Sequence, residues 1–356
     1  MKNDWGDIRK NVLGLAGFFA LAAGALLAGG CAGERAETAG NIRVGVTCYD
    51  ESDTFISELL DCFREELAEE AEGRAEIAVA VRDAAGSQRV QDDQVAELIE
   101  EGCRILLVNL VDRADPSEII DLARESDVPI IFFNREPVAE DMLQWDRLYY
   151  VGADARQSGV MQGELAADVI LSDPAIDRNR DGRIQYVVLE GEPGHQDAII
   201  RTESAVDTLK SSGIELEKLS WRNANWNRAQ AQNRMAQMIG QYRTQIELVL
   251  ANNDDMALGA VDAYGKTNYT EANIPVFFGI DGTEVGLEAV IEGTLQATVY
   301  NDKEGQAEAM AKLVLALATG QGMDGLEFEK EQYIYLPYYK VTRENAEEFQ
   351  AKGADS

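Results

Sequence analysis

The sequence contains a single histidine, His195, and only 32 lysine and arginine residues against 64 aspartate and glutamate residues. The net charge of −32 excludes nucleic acid and anionic membrane surfaces as partners, because both repel a strongly negative protein. An activated serine or cysteine nucleophile is also missing beside His195 and Asp197. These two residues could form the catalytic pair of a hydrolase, but they are equally suited to holding hydroxyl groups, so we expect no enzyme activity.

Cysteine is scarce as well, and the four cysteines do not have the spacing of metal ligands. Besides Cys31, the chain contains Cys48 in an apolar run, Cys62 in an amphipathic segment and Cys103 before another apolar run. We therefore expect three buried free thiols. A disulfide between two of them is the alternative, since an exported protein can keep one.

A long uncharged run extends from Asn11 to Gly30, after three basic residues, and predicts an export signal over residues 1–30. Its end, Leu-Leu-Ala-Gly-Gly before Cys31, resembles a bacterial lipoprotein signal, although Ala28 stands where such signals prefer leucine. The resemblance implies cleavage, a lipid on Cys31, and a lipid-anchored tether over residues 31–40. A retained membrane-spanning anchor is the alternative. Either way we expect the protein outside the cytoplasm, on the outer face of the cell membrane or in the periplasm.

Apolar strand patterns alternate with helical patterns along the rest of the chain. Strands are predicted at 42–48, 75–81, 105–110, 128–133 and 148–151, and again at 184–189, 214–220, 246–251, 275–280 and 295–299. Helices are predicted near 54–71, 88–101 and 117–126, the last with Asp115 as its N-cap. Such βαβ repetition indicates parallel sheets covered by helices on both faces. Because the length exceeds what one core usually serves, we predict two similar α/β halves.

Polar and aromatic residues follow these strands, at the edge of a parallel sheet where ligands bind. They are Tyr49, Asp53, Phe55, Asn134, Arg135, His195, Asp197, Arg201, Trp226, Asn252, Asn253, Asp254, Asp281, Asn301 and Asp302. Carboxylates and amides pair with hydroxyl groups, and an aromatic face covers the C–H face of a pyranose. The set indicates a sugar site, although any single member could be an ordinary loop or cap residue.

The segment 177–185 has the residue types of a calcium loop. Oxygen-bearing side chains at Asp177, Asn179, Asp181 and Gln185, with Gly182 at the turn, match an EF-hand at all but its closing acid. The twelfth position is Val188, so the remaining oxygens must come from elsewhere in the fold. A solvated turn between a helix and a strand is the alternative.

Several strings, in order and at compatible spacing, resemble the periplasmic galactose/glucose-binding proteins from about Ile42 to Phe349. They are Gly-Val-Thr at 45–47, Phe-Phe-Asn-Arg-Glu-Pro at 132–137, Tyr-Tyr-Val-Gly at 149–152, Gly-Glu-Pro-Gly-His at 191–195, Ala-Asn-Asn-Asp at 251–254 and Thr-Val-Tyr-Asn-Asp at 298–302. The resemblance implies a type I periplasmic binding protein fold, in which two Rossmann-like parallel-sheet domains are joined by a three-segment hinge. The expected N-terminal domain is 41–152 plus 303–335, and the expected C-terminal domain is 154–300 plus 338–356.

The same resemblance implies two sets of site residues. The expected sugar contacts are Asp53, Asn134, His195, Asp197, Arg201, Asn253, Asp281 and Asn301, with Phe55 and Trp226 sandwiching the ring and Tyr49 at the cleft edge. The expected ligands of a calcium ion (Ca2+) are Asp177, Asn179, Asp181, the carbonyl of Arg183, Gln185 and Glu247.

The resemblance also implies partners. We expect a monomer that binds the monosaccharides D-galactose and D-glucose, serves ABC permease subunits, and contacts the membrane only through its lipid anchor. Presentation of the closed form to a chemoreceptor or a sensor kinase is the alternative. A sugar-responsive transcription regulator shares the fold, but the export signal stands where its basic helix-turn-helix would be.

Overall fold

The computed structural model describes residues 39–354, with side chains from 42 to 353. The predicted signal peptide, most of the tether and Cys31 lie outside these residues. Within the described part, no helix is both long and apolar enough to cross a membrane.

The first of two six-stranded sheets has the strand order β11-β5-β4-β3-β1-β2, with parallel pairing throughout. Its strands are β1 (Ala39–Cys48), β2 (Ala75–Asp83), β3 (Ile105–Val108), β4 (Ile130–Phe133), β5 (Leu148–Ala153) and β11 (Tyr333–Leu336). The helices around it are α1 (Thr54–Ala71), α2 (Gln88–Glu100), α3 (Ser117–Glu125), α4 (Ala139–Met142) and α10 (Lys303–Thr319). We call this sheet and its helices the first lobe.

The second sheet has the order β12-β10-β9-β8-β6-β7 and is parallel apart from the β10–β12 pair. Its strands are β6 (Ile184–Glu190), β7 (Leu216–Asn223), β8 (Leu248–Ala251), β9 (Val276–Phe278), β10 (Ala297–Asn301) and β12 (Tyr338–Thr342). Its helices are α5 (Ala155–Ser172), α6 (Gln196–Ser211), α7 (Arg228–Tyr242), α8 (Asp254–Gly265), α9 (Glu284–Glu292) and α11 (Ala346–Ala354). This sheet and its helices form the second lobe.

The central strands are apolar at every position because each face of the sheet packs against helices. In β4, Ile131 and Phe133 join the core beneath α1 and α10, whereas Ile130 and Phe132 join the core beneath α2 and α3. Alternation of side chains along a strand sends successive residues into the two cores. The predicted α/β class with two parallel-sheet lobes is confirmed.

The chain passes between the lobes at three short connections. These are the β5–α5 junction around Asp154, the β10–α10 junction around Asp302, and Pro337 between β11 and β12. Each connection follows a strand, so all three lie at the carboxyl edges of the strands that they follow. Relative motion of the lobes therefore requires dihedral changes at only a few residues.

The three cysteines match the sequence-based predictions, whereas the start of α3 does not. Cys48, Cys62 and Cys103 are buried free thiols, which confirms that prediction. The predicted N-cap of α3 is wrong, because Pro116 takes that position. Asp115 lies one residue too early, in a turn where its N–H donates to the Asp112 carbonyl at 3.2 Å.

Candidate functional site

A small cavity of about 30 Å³ lies between the two lobes. Both lobes line it, through Tyr49, Asp53, Phe55, Ile56, Asn134, Arg135, His195, Asp197, Arg201, Trp226, Asn253 and Asp281. The structure therefore brings together ten of the eleven residues expected to surround a sugar. The eleventh, Asn301, ends β10 outside this lining, and its side-chain oxygen accepts from Gln306 at 2.8 Å.

Three lining residues are helix N-caps, which explains why polar side chains cluster here. Asp53 caps α1 by accepting the N–H of Ile56 at 3.0 Å. His195 caps α6 through Nδ1, which accepts the N–H of Asp197 at 3.2 Å, and Asn253 caps α8 in the same way at 2.9 Å. Each cap satisfies an otherwise free N–H. The backbone thus holds these three side chains in place at the cavity wall.

Three lining residues adopt positive φ angles that are unusual for side chains other than glycine. The values are +59° for Asn134, +59° for Trp226 and +118° for Asp281. Such conformations cost roughly 1–3 kcal/mol each and persist where the surrounding fold imposes them. The backbone N–H of Asp281, for example, donates to Val299 at 2.8 Å. Their concentration around one cavity is typical of a functional site.

Trp226 lies against a residue that must be glycine. A Cβ added to Gly191 would lie 2.2 Å from the indole carbon Cζ2, so any side chain there would displace the ring. The ring also contacts His195 edge-on, with centroids 5.2 Å apart. The backbone carbonyl of Trp226 accepts a hydrogen bond from the side-chain amide of Asn253 at 3.1 Å. Phe55 supplies an aromatic ring to the cavity from the first lobe.

The guanidinium of Arg201 organises the second lobe's part of the cavity. It donates to the Asn252 carbonyl at 2.7 Å, to the Tyr338 hydroxyl at 3.1 Å and to Asp281 at 3.4 Å. Its Nε has no hydrogen-bond partner in the described structure. Burial alone would lower the pKa of Arg201, but the neighbouring Tyr338, Asp281 and Asp197 raise it overall. Arg201 is therefore a permanent cation at the base of the cavity.

The acids and the histidine of the cavity are desolvated. Burial raises the pKa of Asp53, Asp197 and Asp281, that of Asp281 well above its ordinary value, because the charged form loses water. Burial and the nearby arginines lower the pKa of His195 well below its ordinary value. Since Nδ1 of the neutral ring accepts a hydrogen bond, Nε2 carries the proton. The cavity thus presents both donors and acceptors.

Asp254, next to Asn253, is a fully buried carboxylate that does not line the cavity. It accepts the N–H of Thr283 at 3.0 Å and the hydroxyl of Thr298, and no lysine or arginine within residues 39–354 forms an ion pair with it. Burial, as the largest effect, raises its pKa to about 7. Its carboxylate also leaves no room for a side chain at Gly279 or Gly286.

The predicted calcium loop gathers oxygen atoms around its turn. Asp177 accepts the N–H of Gly182 at 2.9 Å, and Asp181 accepts from the side-chain amides of Asn179 and Gln185, both at 3.0 Å. The carbonyl of Arg183 belongs to the same predicted set, but the structure gives no contact that tests its role.

Glu247, 1% exposed, reaches the loop from the residue before β8 and accepts the N–H groups of Arg178 at 2.7 Å and Gln185 at 3.0 Å. No lysine or arginine of the described chain forms an ion pair with Asp177, Asp181 or Glu247. Equally, no three His, Cys, Asp or Glu side chains of residues 39–354 converge as a metal site. The donor set nevertheless suits a hard cation, because turning either amide about its last bond exchanges nitrogen for oxygen.

The lobes contact each other around the cavity. These contacts include Thr54 Oγ1 to Asp255 Oδ2 at 2.6 Å, the N–H of Glu284 to Glu58 Oε1 at 3.0 Å, and Arg135 Nη2 to Glu192 Oε2 at 3.1 Å. The structure is therefore a closed arrangement of the two lobes.

Arg135 and Ile56 line the cavity but were not among the expected sugar contacts. Arg135 had a signal, since it directly follows the Asn134 that ends a predicted strand. Ile56 had none, because an apolar residue in the first turn of an amphipathic helix is ordinarily core.

Two α/β lobes closed over a polar and aromatic cavity define a ligand-binding protein of the two-lobed class. The chain belongs to the periplasmic binding protein family: the family's domain model matches residues 44–322. The D-galactose/methyl-galactoside binding periplasmic protein MglB of Haemophilus influenzae is 36% identical over 317 residues, which are 88% of this chain and 93% of that protein. A xylitol-binding protein of Mycolicibacterium smegmatis is 29% identical, over 82% of this chain and 76% of that one.

A solved structure with the same fold is an ABC transporter solute binding protein from Bacillus halodurans with bound myo-inositol. Its TM-score is 0.73 at 28% identity, and the match covers 89% of this chain and 99% of that one. The family thus accommodates several polyhydroxylated ligands in one fold, so the ligand depends on the residues that line the cavity.

The raised pKa of Asp254 predicts a pH-dependent contribution to stability. The pKa of Asp254 rises from its ordinary value of 3.8 to about 7 in the folded protein. The stability that the protonated carboxyl contributes to the fold is therefore complete below about pH 4 and is lost as the pH rises through 7. The difference corresponds to about 4 kcal/mol in the free energy of unfolding. The melting temperature of Asp254→Asn minus that of the wild type should therefore be larger at about pH 8 than at about pH 5.

Thermal melts at both pH values measure this effect, with Asp93→Asn on the exposed face of α2 as the matched control. An Asp254→Asn protein whose difference from wild type is the same at both pH values would contradict the assignment.

Proposed function

We propose that this protein binds an aldohexose, D-galactose or D-glucose, in the cavity between its lobes. The observation that carries the proposal is the composition of the cavity wall, where three carboxylates, two amides, a neutral histidine and two buried guanidiniums lie beside three aromatic side chains. A relative that is 36% identical and is named for galactose and methyl-galactoside binding supports the same ligand class.

The chemistry of the wall suits a pyranose. Trp226 and Phe55 offer apolar faces to the C–H groups of the ring from opposite lobes, while Asp53, Asp197 and Asp281 accept from its hydroxyl groups. Asp53 faces the 4-hydroxyl in this proposal. One carboxylate can accept that hydroxyl in its axial or its equatorial position, so both epimers bind.

Delivery to an ABC importer completes the proposal. The first lobe supplies some of the hydroxyl partners and the second lobe supplies the others, so a bound sugar pairs fully only when the lobes are closed. Ligand binding then shifts an open–closed equilibrium toward the closed form, which a membrane permease recognises. The family places this activity outside the cytoplasm.

Calorimetry with a panel of ligands tests the proposed substrate. We expect D-galactose and D-glucose to bind, and ribose, xylitol and myo-inositol to bind roughly ten- to a hundredfold more weakly, because a missing or misplaced hydroxyl leaves a buried polar group unpaired. Tight binding of one of the latter three with no heat from either hexose would overturn the assignment.

Two glycine variants test whether hexose binding depends on the position of the Trp226 indole. Gly191→Ala forces the indole aside and should weaken hexose binding by roughly tenfold or more. Gly240→Ala is the matched control, because a Cβ at this exposed position of α7 meets no atom within 4 Å.

We also propose that the loop at 177–185 holds one calcium ion through Asp177, Asn179, Asp181, the Arg183 carbonyl, Gln185 and Glu247. What supports this is the accumulation of carboxylate and amide oxygens without a compensating lysine or arginine ion pair in the described chain. A bound cation would supply that positive charge and stabilise the second lobe.

Chelation should accordingly lower the melting temperature of the protein, and added calcium should restore it. Asp181→Asn, at an exposed position, should reduce this response, whereas Asp168→Asn on the exposed face of α5 should not. Equal melting temperatures of the wild type in calcium and in chelator would exclude a stabilising calcium ion.

Lipid anchoring at Cys31 is a further part of the proposal. Its support is the sequence Leu26-Leu-Ala-Gly-Gly-Cys31 at the end of the predicted signal. Cys31→Ser should release the protein from the membrane fraction or leave an uncleaved precursor, because a thioether forms only on cysteine. Mass spectrometry of the mature N-terminus checks this, and an unmodified wild-type Cys31 would refute it.

A further inference from the structure

Arg135 lines the cavity but is absent from the expected sugar contacts, and its guanidinium is held on two sides within the first lobe. Its central carbon lies 3.5 Å from the ring centroid of Tyr49, and Nη1 donates to the Val111 carbonyl at 2.9 Å. The residue is 3% exposed. Stacking and hydrogen bonding therefore fix the plane of the guanidinium at the cavity wall.

The remaining edge of the guanidinium points to the other lobe. Its Nη2 lies 3.1 Å from Oε2 of Glu192, and this nitrogen makes no hydrogen bond within residues 39–354. Glu192 follows the Gly191 that lies against Trp226, and its side chain is 33% exposed. The pair thus joins a buried cation in one lobe to a partly exposed anion in the other.

Closure of the lobes changes the surroundings of this charge. In the closed structure Arg135 has lost nearly all of its contact with water, and Glu192 is the carboxylate at ion-pair distance. A desolvated charge interacts more strongly with its partner than a solvated one does. Removing the negative charge from Glu192 therefore disfavours the closed arrangement relative to an open one, in which water can reach Arg135.

We propose that Arg135 and Glu192 form an electrostatic tie that holds the two lobes closed and slows release of the bound ligand. The part concerning release rests on the proposed function, whereas the part concerning lobe closure does not. Arg135 acts here as a positioning residue. Glu192 is not among the residues that line the cavity, so it can be changed without removing a ligand contact.

Stopped-flow tryptophan fluorescence with D-galactose as the probe tests the tie. Glu192→Gln should speed dissociation roughly three- to tenfold, and Glu192→Lys more, because the latter opposes Arg135 with a like charge. Association should change by less than about twofold, since most interface mutations act on the off-rate. Raising the ionic strength should speed dissociation of the wild type but not of Glu192→Gln. Glu203→Gln, an exposed acid on α6, is the matched control.

Small-angle scattering of the ligand-free protein tests closure without any sugar. We expect both Glu192 variants to have a larger radius of gyration than the wild type at low ionic strength. The tie is overturned if dissociation and radius are unchanged in both variants, or if Glu203→Gln has the same effect. The tie would also be overturned if Arg135→Met loses galactose binding while both Glu192 variants keep the wild-type dissociation rate and radius of gyration. Failure of the wild type to bind either hexose would defeat the proposed function, while the scattering would still decide on the tie.

Discussion

The buried guanidinium of Arg201 is the interaction on which the second lobe's part of the site depends. It joins the carbonyl of Asn252, which follows β8, to Asp281, which follows β9, and to Tyr338, which begins β12. A buried charge is tolerated only when it is paired and hydrogen-bonded. Three segments distant in sequence are therefore fixed at the cavity floor by one cation, and the same cation stabilises two carboxylates that offer acceptors to a ligand.

Helix geometry and backbone strain determine the rest of the wall. The N-caps Asp53, His195 and Asn253 are held by the helices that they begin, and Asn134 and Trp226 are held in left-handed conformations. A site built in this way is preorganised, so a ligand need not provide the free energy to order it.

Much of this arrangement could be predicted from the sequence, because its determinants are local. The apolar runs of β4 and β6 indicated strands with both faces buried, and α1 begins and ends where its pattern predicted. Most of the polar and aromatic residues after the strands reach one cavity because parallel strands place their carboxyl ends at one edge. The requirement for glycine at position 191, by contrast, comes from its tertiary contact with the Trp226 indole.

Other features depend on tertiary contacts that no local pattern encodes. The role of Arg135 requires Glu192, 57 positions away in the other lobe. The raised pKa of Asp254 requires its complete burial, which outweighs the lowering by the hydrogen bonds from Thr283 and Thr298. The N-cap of α3 was predicted at Asp115 from residue type, whereas the turn at Asp112 moves the helix start past Pro116. Pairing across lobes and burial thus limit what sequence patterns can predict.

The proposed function requires a hexose to bind between Phe55 and Trp226 within the closed lobes. A crystal structure of the protein grown with D-galactose tests it most directly. We expect one pyranose ring between these two side chains, with its hydroxyl groups on Asp53, Asp197, Arg201 and Asp281. A sugar bound elsewhere, or an empty cavity at saturating galactose, would contradict it.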